Sequence, residues 1–215
     1  MSDKSEIVVR ALDTSKLVFP KPSETVDSAT AKRTRSSIAK HSVTTEDGKT
    51  AVNVKAIGHI LHTDTVGARG FVSDLDDEDK FSSGSEHYVR TPAIRKEIDE
   101  RIEKPYDTKK RENLRDSSKC LEVVRDNQES ERVRNVGEVN NREGQRLLKA
   151  RKIQRDGITN CEHSGEPLSG DAHAHHRVRR ADDPDKALDL DNIEIVNPEH
   201  HNEHHRKEME SAHSN

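Results

Sequence analysis

The chain has 215 residues, of which 36% are charged and 29% hydrophobic, with no Trp and a net charge of -4. Leu, Ile, Val and Phe together supply 42 residues, about a fifth, which is near the level where a packed core becomes hard to build, so the sequence predicts one small folded unit among solvated segments. Two cysteines exclude a disulfide framework, no run approaches the length of a membrane span, and no basic stretch followed by an apolar one opens the chain, which together predict a soluble, cytoplasmic protein.

Residues 1–50 hold a short strand-like patch, "EIVVRAL", then a stretch rich in Pro, Ser, Thr and Lys. Such a segment buries too little surface to order itself, so it reads as a flexible arm. Its basic run, Lys32, Arg33, Arg35 and Lys40, suits phosphate contact or a solvated tail. Residues 51–140 are poorly defined by pattern. "TAVNVKAIGHILHTDTVGARGFVSDL" alternates like a strand with glycine punctuation and predicts a small β or mixed element, with His59 and His62 incidental. "DLDDED" lacks the glycine and closing Glu of a calcium loop and reads as a linker. From Thr91 helix signals strengthen: Thr91 as cap, Pro92 in the first turn, Ile94, Ile98 and Ile102 one turn apart, and Pro105 as the stop. Residues 141–156 read as a basic helical linker stopped by Gly157.

The last part of the chain differs in kind. Seven of the 13 histidines fall between 173 and 205, where "HAHHRVRRADDPDKALDLDNIEIVNPEHHNEHH" sets two clumps around an Asp-rich loop. "AHAHHRV" reads as a strand and "DNIEIV" as its returning partner. Neighbours on a strand point to opposite faces, so His175 and His176 have different tasks. Asn197 and Pro198 then announce a helix to about residue 212. On it, His201 and His205 line up with Met209 and Ala212, whereas His200 and His204 continue to Glu208 and Ser211. The inward pair is therefore His201 and His205, two imidazoles one turn apart that suit a divalent ion.

His175, His176, fifteen residues, Asn192, eight residues, His201, three residues and His205 resemble the motif of the HNH endonucleases, the ββα-metal nuclease finger, in the form the colicin-type DNases carry with a first loop one residue shorter. The likeness covers about residues 157–213. It implies an α+β fold with a small ββα-metal finger in 157–215 behind a charged, partly helical and partly disordered N-terminal region. It further implies one divalent ion (Mg, Mn, Ni or Zn) held by His175, His201 and His205, with His176 as general base and Asn192 pinning the loop. Arg177, Arg179 and Arg180 are placed to hold phosphate, DNA is the expected partner, and a second protein could engage the N-terminal region. The setting implied is a bacterial or phage-infected cell.

Many HNH proteins add two CxxC pairs around a structural zinc. Here the second pair falls on Asn197 and His200, and the first keeps only Cys161 opposite Ser164, so that zinc is expected to be absent. A mixed site of Cys161, His163 and His200 is the alternative to Cys161 as a small buried hydrophobe. Two other readings compete with the nuclease: a solvated His-rich tail, and an inactive HNH-fold module that binds nucleic acid or metal without cutting.

Overall fold

The computed structural model describes residues 7–199, a mixed α and β chain that divides into two compact units, Met1–Asn135 and Val136–Asn215. The calls on His200, His201, His204 and His205 lie outside the described residues. Among the described residues no helix is long and apolar enough to cross a membrane.

The first unit is built on a five-stranded antiparallel sheet of order β1-β2-β3-β5-β4, with β1 Val9–Ala11, β2 Ser42–Thr45, β3 Thr50–Asn53, β4 Lys80–Ser83 and β5 Glu86–Arg90. Helix α1, Ser28–His41, is started by Asp27, whose carboxylate accepts from the Thr30 N–H at 2.8 Å. It buries Ala31, Thr34 and Ile38. The β2–β3 turn needs Gly48, at φ 77°, because a Cβ there would lie 2.6 Å from the Ser130 carbonyl oxygen. After β3 come a 3-10 turn at Val54–Ala56 and two short helices, α2 Ile57–Ile60 and α3 Thr65–Asp74. After β5 come α4 Thr91–Glu103, α5 Thr108–Arg125 and the start of α6, Gln128–Asp156. Ile38, Ile57, Ile60, Leu61, Ile94 and Leu114 are fully buried in one core. Across it, the Arg35 guanidinium of α1 grips the buried Asp116 carboxylate of α5 with two hydrogen bonds, 2.6 and 2.7 Å.

Three expectations about individual segments need correction. Residues 7–50 are not a flexible arm, since Leu12, Leu17, Val26, Ala31, Ile38 and Val43 are all buried. The buried face of α1 uses Ala and Thr beside a single Ile, so it carries little apolar signal and takes its stability from the helices it packs on. Residues 141–156 are not a solvated linker either. They are the second half of α6, and Leu148 there is buried with Ala172, Ile193 and Ile195. In α4 the cap is Arg90, and Thr91 is the first helical residue.

In the second unit α6 ends at Gly157, which takes φ 65° as a helix-terminating glycine does. Strands β6, His173–His176, and β7, Ile193–Val196, pair antiparallel, with His175 opposite Glu194 and His176 opposite Ile193. Between them two 3-10 turns, Pro184–Lys186 and Leu190–Asn192, shape the loop.

Replacing Ile38 by Ala removes a fully buried side chain from an element read as mobile from sequence. It should lower unfolding free energy by about 2–5 kcal/mol in a urea titration, against near zero for an arm. His62 gives a pH test. Burial holds its imidazole below the ordinary histidine value, outweighing the opposing pull of the Asn113 carbonyl it faces at 3.0 Å. The unfolded chain therefore takes up this proton first as pH falls, and the stability is present above about 6.5 and lost below it. The urea midpoint should drop between pH 7.5 and 5.5, and drop less in His62→Asn, which tolerates the same positive φ.

Candidate active site

The β6–β7 hairpin sorts its side chains by strand alternation. Ala174, Ile193 and Ile195 join the core with Leu148, while His175 sits on the opposite face across from Glu194, and is itself buried. His176, at the end of β6, is half-buried, and its Nε2 lies 2.9 Å from the Ala187 carbonyl oxygen. A carbonyl can only accept, so Nε2 carries the proton. In the neutral ring Nδ1 then holds the lone pair, the form a proton acceptor needs.

Ala187 is held in turn. Its N–H donates to the Pro184 carbonyl at 3.1 Å and its side chain is buried. The next residue, Leu188, lies against Gly144 of α6 so closely that a Cβ on that glycine would come within 2.7 Å of it. The carbonyl that orients His176 is thus seated on the helix.

Asn192 closes the same loop. Buried to 5% exposure, its Oδ1 accepts from the Val178 N–H at 2.8 Å, and its Nδ2 donates to the Val178 and Lys186 carbonyls at 3.0 and 3.2 Å. One carboxamide therefore satisfies three backbone groups on two sides of the loop, a task that requires a donor and an acceptor on one short side chain.

The three arginines follow β6 and are all exposed. Arg177 pairs with Glu194 at 2.8 Å and Arg179 with Asp182 at 2.9 Å, while Arg180 donates to Gln145 of α6. Each is a surface contact that an arriving phosphate can exchange for itself.

Cys161 occupies a tight turn. It is more than a small hydrophobe, because its sulfur accepts from the Ser164 N–H at 3.5 Å and the Asn197 N–H at 3.4 Å. Burial pushes the thiol up, but the Ser164 hydroxyl and the N–H groups of Asn197, Ser164 and His163 pull it down further, to about 7. Asn197, expected to cap the following helix, also spans this turn, accepting from Ser169 N–H at 2.9 Å and donating to Pro167 at 3.2 Å.

Of the three expected metal ligands, only His175 is among the described residues. Among the described residues no group of three or more His, Cys, Asp or Glu is assembled for a metal. The buried imidazole of His175 is one donor of the kind a divalent ion takes, while the Glu194 carboxylate on the same strand face is held by Arg177. Sequence reasoning missed Ala187, Gly144, Gln145 and Glu194. The first acts through its backbone, which leaves no mark in a sequence.

No protein-family model matches the chain, and no curated protein or solved structure matches it significantly.

Asn192→Asp keeps the acceptor for Val178 but loses both donated bonds and leaves two carbonyls facing a charge. We expect a lowered melting temperature and faster amide exchange at Val178, with the first unit unaffected, as read by hydrogen exchange. Asn192→Ala should behave similarly.

Proposed function

We propose that the chain is a metal-dependent endonuclease of the HNH kind, hydrolysing DNA phosphodiester bonds with a ββα-metal finger in the second unit. The observation that carries this reading is the hydrogen bond from His176 Nε2 to the Ala187 carbonyl at 2.9 Å, which leaves Nδ1 as the acceptor. A water beside Nδ1 gives its proton to that lone pair as its oxygen attacks phosphorus. The Ala187 carbonyl stabilises the imidazolium that results, because the N–H it accepts from becomes more polar on protonation. Asn192 keeps Val178 and Lys186 in place, and so holds the loop that carries Ala187. His175, His201 and His205 are the ligand set. A divalent ion held by these histidines would supply positive charge to stabilise the phosphate and its leaving oxygen. Arg177, Arg179 and Arg180 exchange their present partners for phosphate oxygens and orient the strand.

Nicking of supercoiled plasmid, with metal affinity measured by titration calorimetry, tests the assignment. Wild type should nick with a divalent ion and stop in EDTA. His176→Ala should keep metal affinity while turnover drops by about 10²- to 10⁴-fold. His175→Ala, His201→Ala and His205→Ala should lose affinity and cutting together, and His200→Ala and His204→Ala should lose little. Cutting that survives EDTA, or that is indifferent to His176→Ala, would rule the mechanism out. Metal and DNA binding without any cutting would establish the inactive-module alternative.

A further inference from the structure

The first unit holds a cavity that the nuclease reading does not use. It has a volume of about 830 Å³, the size of a small-molecule site, and lies between the β2–β3 turn, the junction of β5 with α4, the end of α5 and the first part of α6. The buried hydroxyls of Thr50 and Thr91 meet at 3.0 Å and fix that turn against the first residue of α4. Arg134 reaches the same turn, donating from Nη1 to the Gly48 carbonyl at 2.7 Å and from Nη2 to the Arg125 carbonyl at 2.9 Å. A Cβ on Gly48 would stand 2.8 Å from Arg134 Cγ, so the glycine is what gives this side chain its room.

Charge is sorted along the cavity. Its sheet end carries Lys49, Arg90, Arg95, Arg125 and Arg134. Three carboxylates answer them: Asp47 pairs with Lys49 at 3.3 Å, Glu122 with Arg95 at 3.1 Å and Asp126 with Arg125 at 2.7 Å. Arg90 and Arg134 make no ion pair among the described residues, and Arg90 Nη1 and Arg95 Nε are buried without a hydrogen-bond partner there. Asp126 registers the excess, since its carboxylate is held below the ordinary range by Arg125 first and then by the fields of Arg134 and Arg95. Helix α4 adds to the positive end, because it starts there with no side-chain cap and no acidic residue in its first turn. Glu46, Glu129 and Glu131 belong to the same segments but do not line the cavity.

Further along α4 the lining changes. Asp99, Glu100 and Glu103 are exposed, with Lys96 exposed among them. At the rise of an α-helix this mixed end begins about 6 Å from Arg95 and ends about 12 Å from it. Carboxylates accept hydrogen bonds, and an ammonium group only donates them. A hydroxyl does both, so a polyol suits this end, whereas a ligand ammonium would meet Lys96 and a second phosphate would meet three carboxylates. The sheet end asks for an oxyanion. Two guanidiniums without a carboxylate and a third with a spare nitrogen are better matched by the three oxygens of a phosphate ester than by the two of a carboxylate.

We propose that this cavity binds a phosphorylated sugar, with the phosphate held by Arg90, Arg95 and Arg134 and the sugar hydroxyls turned toward Lys96, Asp99 and Glu103. Among the described residues no aromatic side chain lines the cavity, so a base has nothing to stack on and the free sugar phosphate is favoured over a nucleotide. Every residue of the site lies in the first unit, so binding requires no nuclease activity.

Titration calorimetry on the full chain in metal-free buffer tests it, with ribose 5-phosphate, ribose, inorganic phosphate and AMP as probes. Ribose 5-phosphate should bind more tightly than phosphate or AMP, ribose alone should not bind, and His176→Ala should behave as wild type does. Arg90→Gln and Arg134→Gln should each weaken ribose 5-phosphate by about tenfold or more, the scale of a lost charged hydrogen bond. Affinity should also fall below about pH 6, where the phosphate takes up its second proton. Arg134 holds two carbonyls as well, so the melting temperature is read beside each titration. Asp99→Asn/Glu103→Gln alters exposed groups only, and it decides the matter should an arginine variant fail to fold. It should leave the melting temperature and the phosphate affinity unchanged while weakening ribose 5-phosphate severalfold. Absence of binding at millimolar concentration, phosphate or AMP binding at least as tightly as ribose 5-phosphate, or ribose 5-phosphate affinity indifferent to Asp99→Asn/Glu103→Gln would overturn the inference.

Discussion

The Asn192 carboxamide is the contact on which the candidate active site depends. The loop between β6 and β7 is long, acidic and exposed over most of its length, and nothing apolar crosses it except Ala187, Leu188 and Leu190. Without a buried polar tie its two sides would be free to separate. Asn192 supplies that tie with three hydrogen bonds to backbone groups, and buried amides of this kind are costly to leave unpaired. His176 inherits its orientation from the same loop, because the carbonyl it donates to belongs to Ala187. A side chain that touches no substrate thus sets the geometry of the one proposed to move a proton.

The first unit rests on a different kind of constraint, the close fit of helices whose sequences are mostly charged. Arg35 and Asp116 join α1 to α5 inside that fit, with the Asp116 carboxylate buried and the Arg35 side chain mostly so. The charge content that argued against a core is compatible with one because charged residues line the outer faces, while few but fully buried Ile and Leu line the inner ones. A fifth of the chain as Leu, Ile, Val and Phe is enough because about half of them gather in buried cores, while others such as Val8, Val18 and Val66 stay exposed.

The proposed chemistry resides in the second unit, which has its own core of Leu148, Ala172, Ile193 and Ile195. The proposed finger is small and would carry its chemistry in a hairpin and the residues that follow it.

Several features were legible from residues alone. The period of Ile94, Ile98 and Ile102, the stop at Gly157 and the alternation of "HAHH" against "IEIV" follow from local rules, because spacing, capping and strand alternation depend on near neighbours, whereas the tie at Asn192 was implied only by the family resemblance. What required the tertiary structure was everything that depends on a distant partner. The burial of α1 is decided by α2 and α5, since Ala31 and Thr34 are apolar enough to bury only when a matching surface is offered. The helix at 141–156 is a core element because Ile193 and Ile195 return to it. The tautomer of His176 is set by a backbone carbonyl eleven residues away, and every residue type has that carbonyl. Sequence singled out the side chains proposed to carry chemistry, and the fold decided which backbone atoms orient them, because side chains differ along a chain and backbone groups do not.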